Sequence, residues 1–171
     1  MIISQSVAEK NAAFRVYNIP EVKVSKVCEQ EASSGDLLNR ADLVNTFFHE
    51  TIAKSSWFDP EKEAFVVCLL NRKNRCKAFN LVSIGSQSAT MAHSREVYRA
   101  AIVGSAAAVI CIHNHPSGDP APSAADLQIT RQLRESSKVV DIILLDHVII
   151  GSRAGDPSGR GFYSFREAGL L

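Results

Sequence analysis

Two histidines, a serine and an aspartate follow one another in the middle of the chain, as His113-x-His115, seven further residues and then Ser123-x-x-Asp126. Imidazole nitrogens and carboxylate oxygens are ligands that zinc accepts, and a three-ligand set leaves one coordination position for water. Zinc lowers the pKa of such a water toward about 7, so that a hydroxide can attack an amide carbonyl at neutral pH. The pattern therefore predicts one catalytic zinc per chain, bound by His113, His115 and Asp126.

The elements around these residues are predicted to bring them to one point. Residues 108–112 are apolar and rich in β-branched side chains, which indicates a buried strand ending at His113. His113 and His115 alternate along an extended chain, so their rings point the same way. A Pro-Ser-Gly-Asp-Pro-Ala-Pro run then turns the chain. The helix expected from Ala124 carries Asp126 in its first turn, within reach of both histidines.

Each part of this motif also has a structural explanation that needs no metal. Histidines at the end of a strand can be satisfied by backbone groups, and Ser123 with Asp126 makes a good capping box for the following helix. The capping box does not explain the histidines. The two explanations are compatible, because a cap hydroxyl can serve the helix and still face a metal-bound water.

The motif resembles that of the JAB/MPN domains, also called JAMM, and the run His-Asn-His-Pro-Ser-Gly followed by Pro-Ser-x-x-Asp is similar to the RadC-like branch. The similarity continues through Asp146-His147-Val-Ile-Ile-Gly151 and back to about Glu63, roughly two-thirds of the chain. It implies an α/β fold of JAB/MPN (cytidine-deaminase-like) architecture, a single domain with a mixed β-sheet flanked by helices. It also implies cleavage of peptide or isopeptide bonds, with Ser123 stabilising the oxyanion and an upstream glutamate acting as general base.

Three glutamates could be that base: Glu61, Glu63 and Glu96. Glu96 is explained as a first-turn charge on a helix, and Glu61 follows Pro60 in a turn that would hold its side chain poorly. Glu63 stands directly before an apolar strand, fifty residues ahead of the first histidine, and resembles the upstream glutamate of the family. We therefore predict Glu63 as the base, with Glu61 as the alternative. His147 is expected to be a hydrogen-bonded structural histidine.

Composition sets bounds on the class of protein. The chain has 171 residues, 46% of them apolar, and a formal net charge of +1, which gives no general case for binding nucleic acid or an acidic membrane. No apolar run approaches membrane-spanning length. The four cysteines form no C-x-x-C pair and are predicted to be reduced structural residues of a cytosolic protein: Cys28, Cys68, Cys76 and Cys111. A bacterial cytoplasmic setting is implied by the resemblance.

Hydrophobic periodicity predicts the order of the elements. We expect strands within 14–27, 63–70, 76–82, 108–113, 139–151 and 162–165, and helices over 39–54, from a cap at Ser94 to about 104, and over 124–137. The first twelve residues are predicted to be poorly ordered or dependent on a partner. Residues 1–50 are predicted to form an N-terminal extension, a strand plus a helix packed on the domain, and residues 51–171 the RadC-like JAB/MPN metal-binding domain.

Three classes of function are compatible with this pattern. The favoured one is a zinc metallopeptidase or isopeptidase acting on a protein or peptide substrate. The second is a DNA repair or nucleic-acid-associated accessory, with DNA binding that is weak or indirect at most, because only one small basic patch lies around the hairpin at 71–75. The third is a non-catalytic MPN scaffold, which is ranked last because all the metal ligands are present. No membrane partner is expected, and the substrate and oligomeric state stay open.

Overall fold

A mixed five-stranded sheet forms the centre of the protein. The computed structural model describes residues 35–85 and 92–171, and within them the sheet has the strand order β2-β1-β3-β4-β5. Strands β3 and β4 are parallel, and the other neighbouring pairs are antiparallel. The elements are β1 (Ala64–Leu70), β2 (Cys76–Ile84), β3 (Ala108–Asn114), β4 (Ile143–Ile150), β5 (Phe162–Ser164), α1 (Ala41–Glu50), α2 (Ser94–Val103) and α3 (Ala124–Val140), with a 3-10 turn at Ile52–Lys54. The predicted α/β class is confirmed.

Helices cover both faces of the sheet because its central strands are apolar throughout. All seven residues of β1 and all seven of β3 are buried. On one face Val66 packs with Phe47 of α1 in a single core cluster. On the other, Val67 joins Val97 of α2 and Leu133 of α3. The unbroken apolar run of β1 therefore reflects burial on two sides.

Strand alternation brings the chemically important side chains to one face. The antiparallel register pairs Phe65 with His113, and Phe65 belongs to the core cluster on the α2 and α3 side. Because side chains alternate along a strand, Glu63 and His115 fall on the same side. The parallel pairing of β4 with β3 adds His147 beside them. The sheet thus positions residues that are distant in sequence.

Two helix limits differ from the predictions. The helix expected over 39–54 ends at Glu50, because Thr51 leaves helical geometry with φ of −123° and ψ of −60°, and the chain continues as the 3-10 turn. In α2 the N-cap position belongs to His93, and Ser94, the predicted cap, is the first helical residue.

The border between α3 and β4 is the largest correction. Residues 139–151 were predicted to be a strand, but the helix continues through Val140, and β4 begins only at Ile143. Asp141 ends the helix in the left-handed conformation, with φ of 55°. Val139 is 86% exposed, so its β-branched side chain lies on the open side of a helix instead of in the sheet.

Several predictions concern the N-terminal segment or the cysteines. The strand within 14–27 and the disorder of the first twelve residues lie outside the described residues, so the division at residue 50 stays a prediction. Cys68, Cys76 and Cys111 are buried free thiols, as expected, whereas Cys28 lies outside the described part. None of the helices in the described ranges has the length and apolar character needed to span a bilayer.

Candidate metal centre

Four side chains converge where β3 ends and α3 begins: Glu63, His113, His115 and Asp126. Each contributes one potential ligand atom, and these atoms lie within 4.8 Å of one another. His113 Nε2 is 3.1 Å from His115 Nε2 and 3.2 Å from Asp126 Oδ1. Neighbouring ligands of a tetrahedral zinc with bonds of about 2.0–2.1 Å lie about 3.3 Å apart. The spacing of the predicted ligands therefore fits a zinc ion.

The loop after β3 holds the second histidine. The backbone N–H of His115 donates to Ile150 O over 2.8 Å, which ties it to the end of β4. Gly118 turns the chain back with φ of +83°, and a Cβ there would lie 2.7 Å from the Ser152 hydroxyl oxygen, so glycine is required. As a result Asp119 presents its carbonyl oxygen 2.8 Å from His115 Nδ1. A carbonyl only accepts, so Nδ1 carries the proton that this bond donates.

The first histidine is held by a chain of side chains inside the core. Its Nδ1 lies 2.9 Å from His147 Nε2, and His147 Nδ1 lies 2.7 Å from Thr130 Oγ1. Thr130 donates its hydroxyl proton to the backbone carbonyl of Asp126 over 2.5 Å. The Thr130 hydroxyl has no second proton, so it must accept the hydrogen bond that His147 Nδ1–H donates. Burial lowers the pKa of His147 well below its usual range, so this imidazole is neutral and carries only one proton. With its one proton on Nδ1, His147 accepts from His113 Nδ1–H.

His113 and His115 therefore both direct an unprotonated Nε2 towards the centre. Each carries its proton on Nδ1, which donates it away from the centre, to His147 and to the Asp119 carbonyl respectively. Two nitrogen lone pairs 3.1 Å apart repel each other unless a proton or a metal ion lies between them. Burial works to lower the pKa of His115, but its hydrogen bonds with the Asp126 carboxylate and the Asp119 carbonyl outweigh burial and raise that pKa. The centre is therefore built to hold positive charge.

Asp126 uses its two carboxylate oxygens differently. Oδ2 accepts from the Ser123 backbone N–H over 2.8 Å and from the Ser123 hydroxyl over 2.6 Å, while Oδ1 faces His113. Burial would raise the pKa of Asp126, but the neighbouring His113 and His115 imidazoles hold it well below its usual range. The predicted capping box is present, since Ser123 Oγ also accepts from Asp126 N. The carboxylate thus caps the helix with one oxygen and can bind metal with the other.

Of the three glutamates, Glu63 is the one in the cluster. Its Oε1 lies 3.7 Å from His113 Nε2, and the residue is 9% exposed. Glu61 is exposed in the preceding turn. Glu96 lies on α2 and pairs with Arg99 over 2.9 Å. Glu63 therefore lies beside the candidate metal ligands, whereas Glu61 and Glu96 lie outside the cluster.

Two supporting residues have roles that the sequence did not indicate. Asn114 is 6% exposed and bonds the backbone on both sides of Glu63. Thr130 lies four residues after Asp126, on the same side of α3, and this spacing is the local signal that could have linked the two residues. His147 is hydrogen-bonded and buried, in line with its predicted structural role.

Comparison with known proteins places this geometry in a family. A sequence profile of the RadC-like JAB domain matches residues 38–170. A UPF0758 protein of Trichlorobacter lovleyi is 47% identical over 125 residues, which are 73% of this chain and 49% of that protein. A UPF0758 protein of Geobacter sulfurreducens is 51% identical over 113 residues, 66% of this chain and 46% of that protein. The chain spans about half the length of the curated relatives that it matches.

Proposed function

The chain belongs to the RadC-like JAB domain family, as its motif indicated, and we propose that it is a zinc-dependent hydrolase of amide bonds in peptides or isopeptides. One observation carries the proposal. Two imidazole Nε2 atoms and Asp126 Oδ1 converge on one point, and the Glu63 carboxylate lies beside them. The resemblance to JAB domains that cleave peptide and isopeptide bonds supports the class of bond.

The proposed ligands are His113, His115 and Asp126. A zinc ion bound by them would supply a water with a pKa near about 7 and polarise the scissile carbonyl. The three residues offer two neutral nitrogens and one carboxylate, which leaves a position for water and substrate. In this proposal the protein's own contribution is to fix the orientation of each ligand before the metal arrives.

Glu63 is proposed to move the protons. Its carboxylate accepts a proton from the attacking water and then gives that proton to the departing amine nitrogen, so the group ends in its starting state. Its position near the ligands, at 3.7 Å from His113 Nε2, supports this role.

Ser123 is proposed to stabilise the oxyanion that develops on the substrate carbonyl. Its hydroxyl proton is directed at Asp126 Oδ2 in this structure. The hydroxyl must therefore turn towards the substrate as negative charge develops. The Asp126 carboxylate keeps its bond from the Ser123 backbone N–H during that turn.

The test combines metal analysis with a hydrolysis screen. Zinc content is measured on the purified chain, which is then incubated with a peptide pool and with a second pool containing glycine linked to lysine Nζ, and products are read by mass spectrometry. We expect about one zinc per chain, and cleavage that a chelator abolishes and added zinc restores. Cleavage that persists equally in the chelated protein would refute zinc-dependent hydrolysis, as would zinc-loaded protein that cuts neither pool.

A further inference from the structure

We propose that Asn114, the residue between the two metal-site histidines, is a positioning residue that holds Glu63 in place beside the centre. This inference rests on the proposed function, in which Glu63 is the base. Asn114 Oδ1 accepts from the backbone N–H of Ala64 over 2.9 Å, and Asn114 Nδ2 donates to the carbonyl of Lys62 over 2.9 Å. One side chain thus binds the backbone immediately before and immediately after Glu63.

We call the two bonds from the Asn114 side chain, to Ala64 N–H and to Lys62 O, the clamp. The position of Glu63 at a strand end explains why the clamp is needed. The pairing between β1 and β3 ends at Phe65 and His113, and β1 itself begins at Ala64. Glu63 therefore lies just beyond the regular ladder, where a strand end would fray. The Asn114 amide takes the place of the missing backbone partner. Gly85 N–H adds a third bond, to the Glu63 carbonyl over 2.8 Å.

The chemistry of asparagine fits this place closely. The clamp needs one acceptor for Ala64 N–H and one donor for Lys62 O, and a primary amide carries both on a short side chain. Aspartate offers no donor when ionised, and leucine of similar size offers neither group. Because Asn114 is 6% exposed, an unmatched backbone group there would have poor access to water.

The clamp also links the proposed base to the ligands mechanically. His113 and His115 flank Asn114 in the chain, so three successive residues supply one ligand, the clamp on the base and the second ligand. Any shift of this segment moves the ligands and Glu63 together. The distance of 3.7 Å between Glu63 Oε1 and His113 Nε2 is thereby set by one short piece of backbone.

A double-mutant cycle on the full chain tests the coupling through the rate of the proposed hydrolysis. At saturating zinc, kcat on a peptide that wild type cleaves is measured for wild type, Asn114→Ala, Glu63→Gln and the double variant. Because misplacing a catalytic group by about 1 Å can lower a rate about 100-fold, we expect kcat of Asn114→Ala to be at least about tenfold lower. In the Glu63→Gln background we expect Asn114→Ala to change kcat by less than about twofold, because the carboxylate to be positioned is gone.

The matched control is Tyr98→Phe, which removes another buried side-chain bond to the backbone, from Tyr98 OH to Leu133 O over 2.9 Å. It should leave kcat unchanged. An equal loss for Asn114→Ala in both backgrounds, or no loss in either, would overturn the proposal. If Asn114→Ala does not fold, Asn114→Thr replaces it in the cycle, since threonine suits a strand and lacks the amide.

Hydrogen exchange of the Ala64 amide separates this proposal from the proposed function. Its acceptor is Asn114 Oδ1, so exchange in the metal-free protein should be at least about tenfold faster in Asn114→Ala, and no faster in Tyr98→Phe. Unchanged exchange would refute the clamp whatever the metal does. If zinc-saturated wild type cleaves no peptide while exchange behaves as expected, the proposed function fails and the clamp stands as a backbone contact only.

Discussion

His113 Nδ1 donates a hydrogen bond to His147 Nε2 over 2.9 Å, in the core of the domain. His147 Nδ1 in turn donates to the Thr130 hydroxyl, and that hydroxyl donates to the backbone carbonyl of Asp126. The chain of bonds therefore starts at one proposed metal ligand and ends at the main chain of another. His113 is also stacked on the Phe65 ring, with the planes 10° apart. Ring orientation and tautomer are both fixed by residues that cannot touch the metal.

The first prediction follows from this chain of bonds. Thr130→Val keeps the shape of the side chain but removes the hydroxyl that accepts from His147 Nδ1. His147 is then free to carry its proton on Nε2, which conflicts with donation by His113. We expect zinc affinity to fall by about 10–100-fold, measured by competition with a chelator. Thr130→Ser keeps the hydroxyl and should bind within a few-fold of wild type.

Nitrogen-15 spectra of the histidine side chains provide a second measurement for the same variants. In metal-free wild type we expect His113 and His147 each to carry a proton on Nδ1, and in Thr130→Val a changed tautomer at His147. Wild-type affinity and unchanged tautomers in Thr130→Val would show that the threonine is only a packing residue.

Much of this arrangement could be predicted because it depends on local patterns. The apolar runs of β1 and β3 reflect burial on both faces, and the spacing of His113 and His115 follows from strand alternation. The capping box indicates where α3 begins, so the position of Asp126 in the first turn of the helix could also be predicted. These features need only the residues nearby in sequence.

The remaining features depend on register between distant strands. Asn114 meets Ala64 across fifty residues, and nothing local in the sequence indicates that its side chain completes the β1 and β3 ladder. The contact of His147 with His113 likewise requires the parallel pairing of β4 with β3. The start of β4 was misplaced because Val139 and Val140 are β-branched, although the helix that contains them continues to the left-handed Asp141.

The second prediction concerns the ligand set. His115→Ala removes one of the two converging Nε2 atoms and leaves two ligands, which is too few for tight binding of zinc. We expect the purified variant to contain well under about half of the wild-type zinc, measured by elemental analysis after dialysis against a weak chelator. His93→Ala, whose histidine lies at the N-cap of α2, is the control and should keep its zinc. Full occupancy in His115→Ala would show that the assignment of ligands is wrong.

The third prediction is a dependence of stability on pH in the metal-free protein. Burial lowers the pKa of His147 in the folded state, whereas an unfolded histidine titrates near about 6.5. Below that pH the unfolded chain takes up a proton that the folded protein does not. The free energy of unfolding should therefore fall as the pH drops, by at most about 1.4 kcal/mol per pH unit from this one group.

Urea unfolding from about pH 7 to about pH 5 measures the effect in wild type and in His147→Phe. The variant lacks the titrating imidazole, so its unfolding free energy should fall less steeply over that range. His115 contributes with the opposite sign, since its pKa is raised in the folded state, but it is present in both proteins. Equal slopes would mean that His147 takes up its proton in the folded protein as readily as in the unfolded chain.

The fourth prediction addresses the general base. Glu63→Gln replaces the carboxylate with an amide that cannot accept a proton, so hydrolysis should fall by at least about 100-fold while zinc stays bound. Glu61→Gln is the matched control, because Glu61 is exposed two residues away and lies outside the cluster. Rates are compared on zinc-saturated protein with a peptide that wild type cleaves. Loss of zinc from Glu63→Gln would make Glu63 a ligand, and an inactive Glu61→Gln beside an active Glu63→Gln would move the base to Glu61.

The last prediction distinguishes two roles of Ser123. As the N-cap of α3 it accepts from Asp126 N over 3.2 Å, so Ser123→Ala should lower the free energy of unfolding by about 1 kcal/mol. As a donor to the developing oxyanion it should also matter for the rate, and we expect kcat to fall by about 100-fold at saturating zinc, with KM changed little. Ser123→Thr, which keeps a hydroxyl able to cap the helix, is the control for stability. If zinc-saturated Ser123→Ala is as active as wild type, the hydroxyl serves only to cap α3 and to orient Asp126 Oδ2, and the oxyanion must be stabilised by other groups.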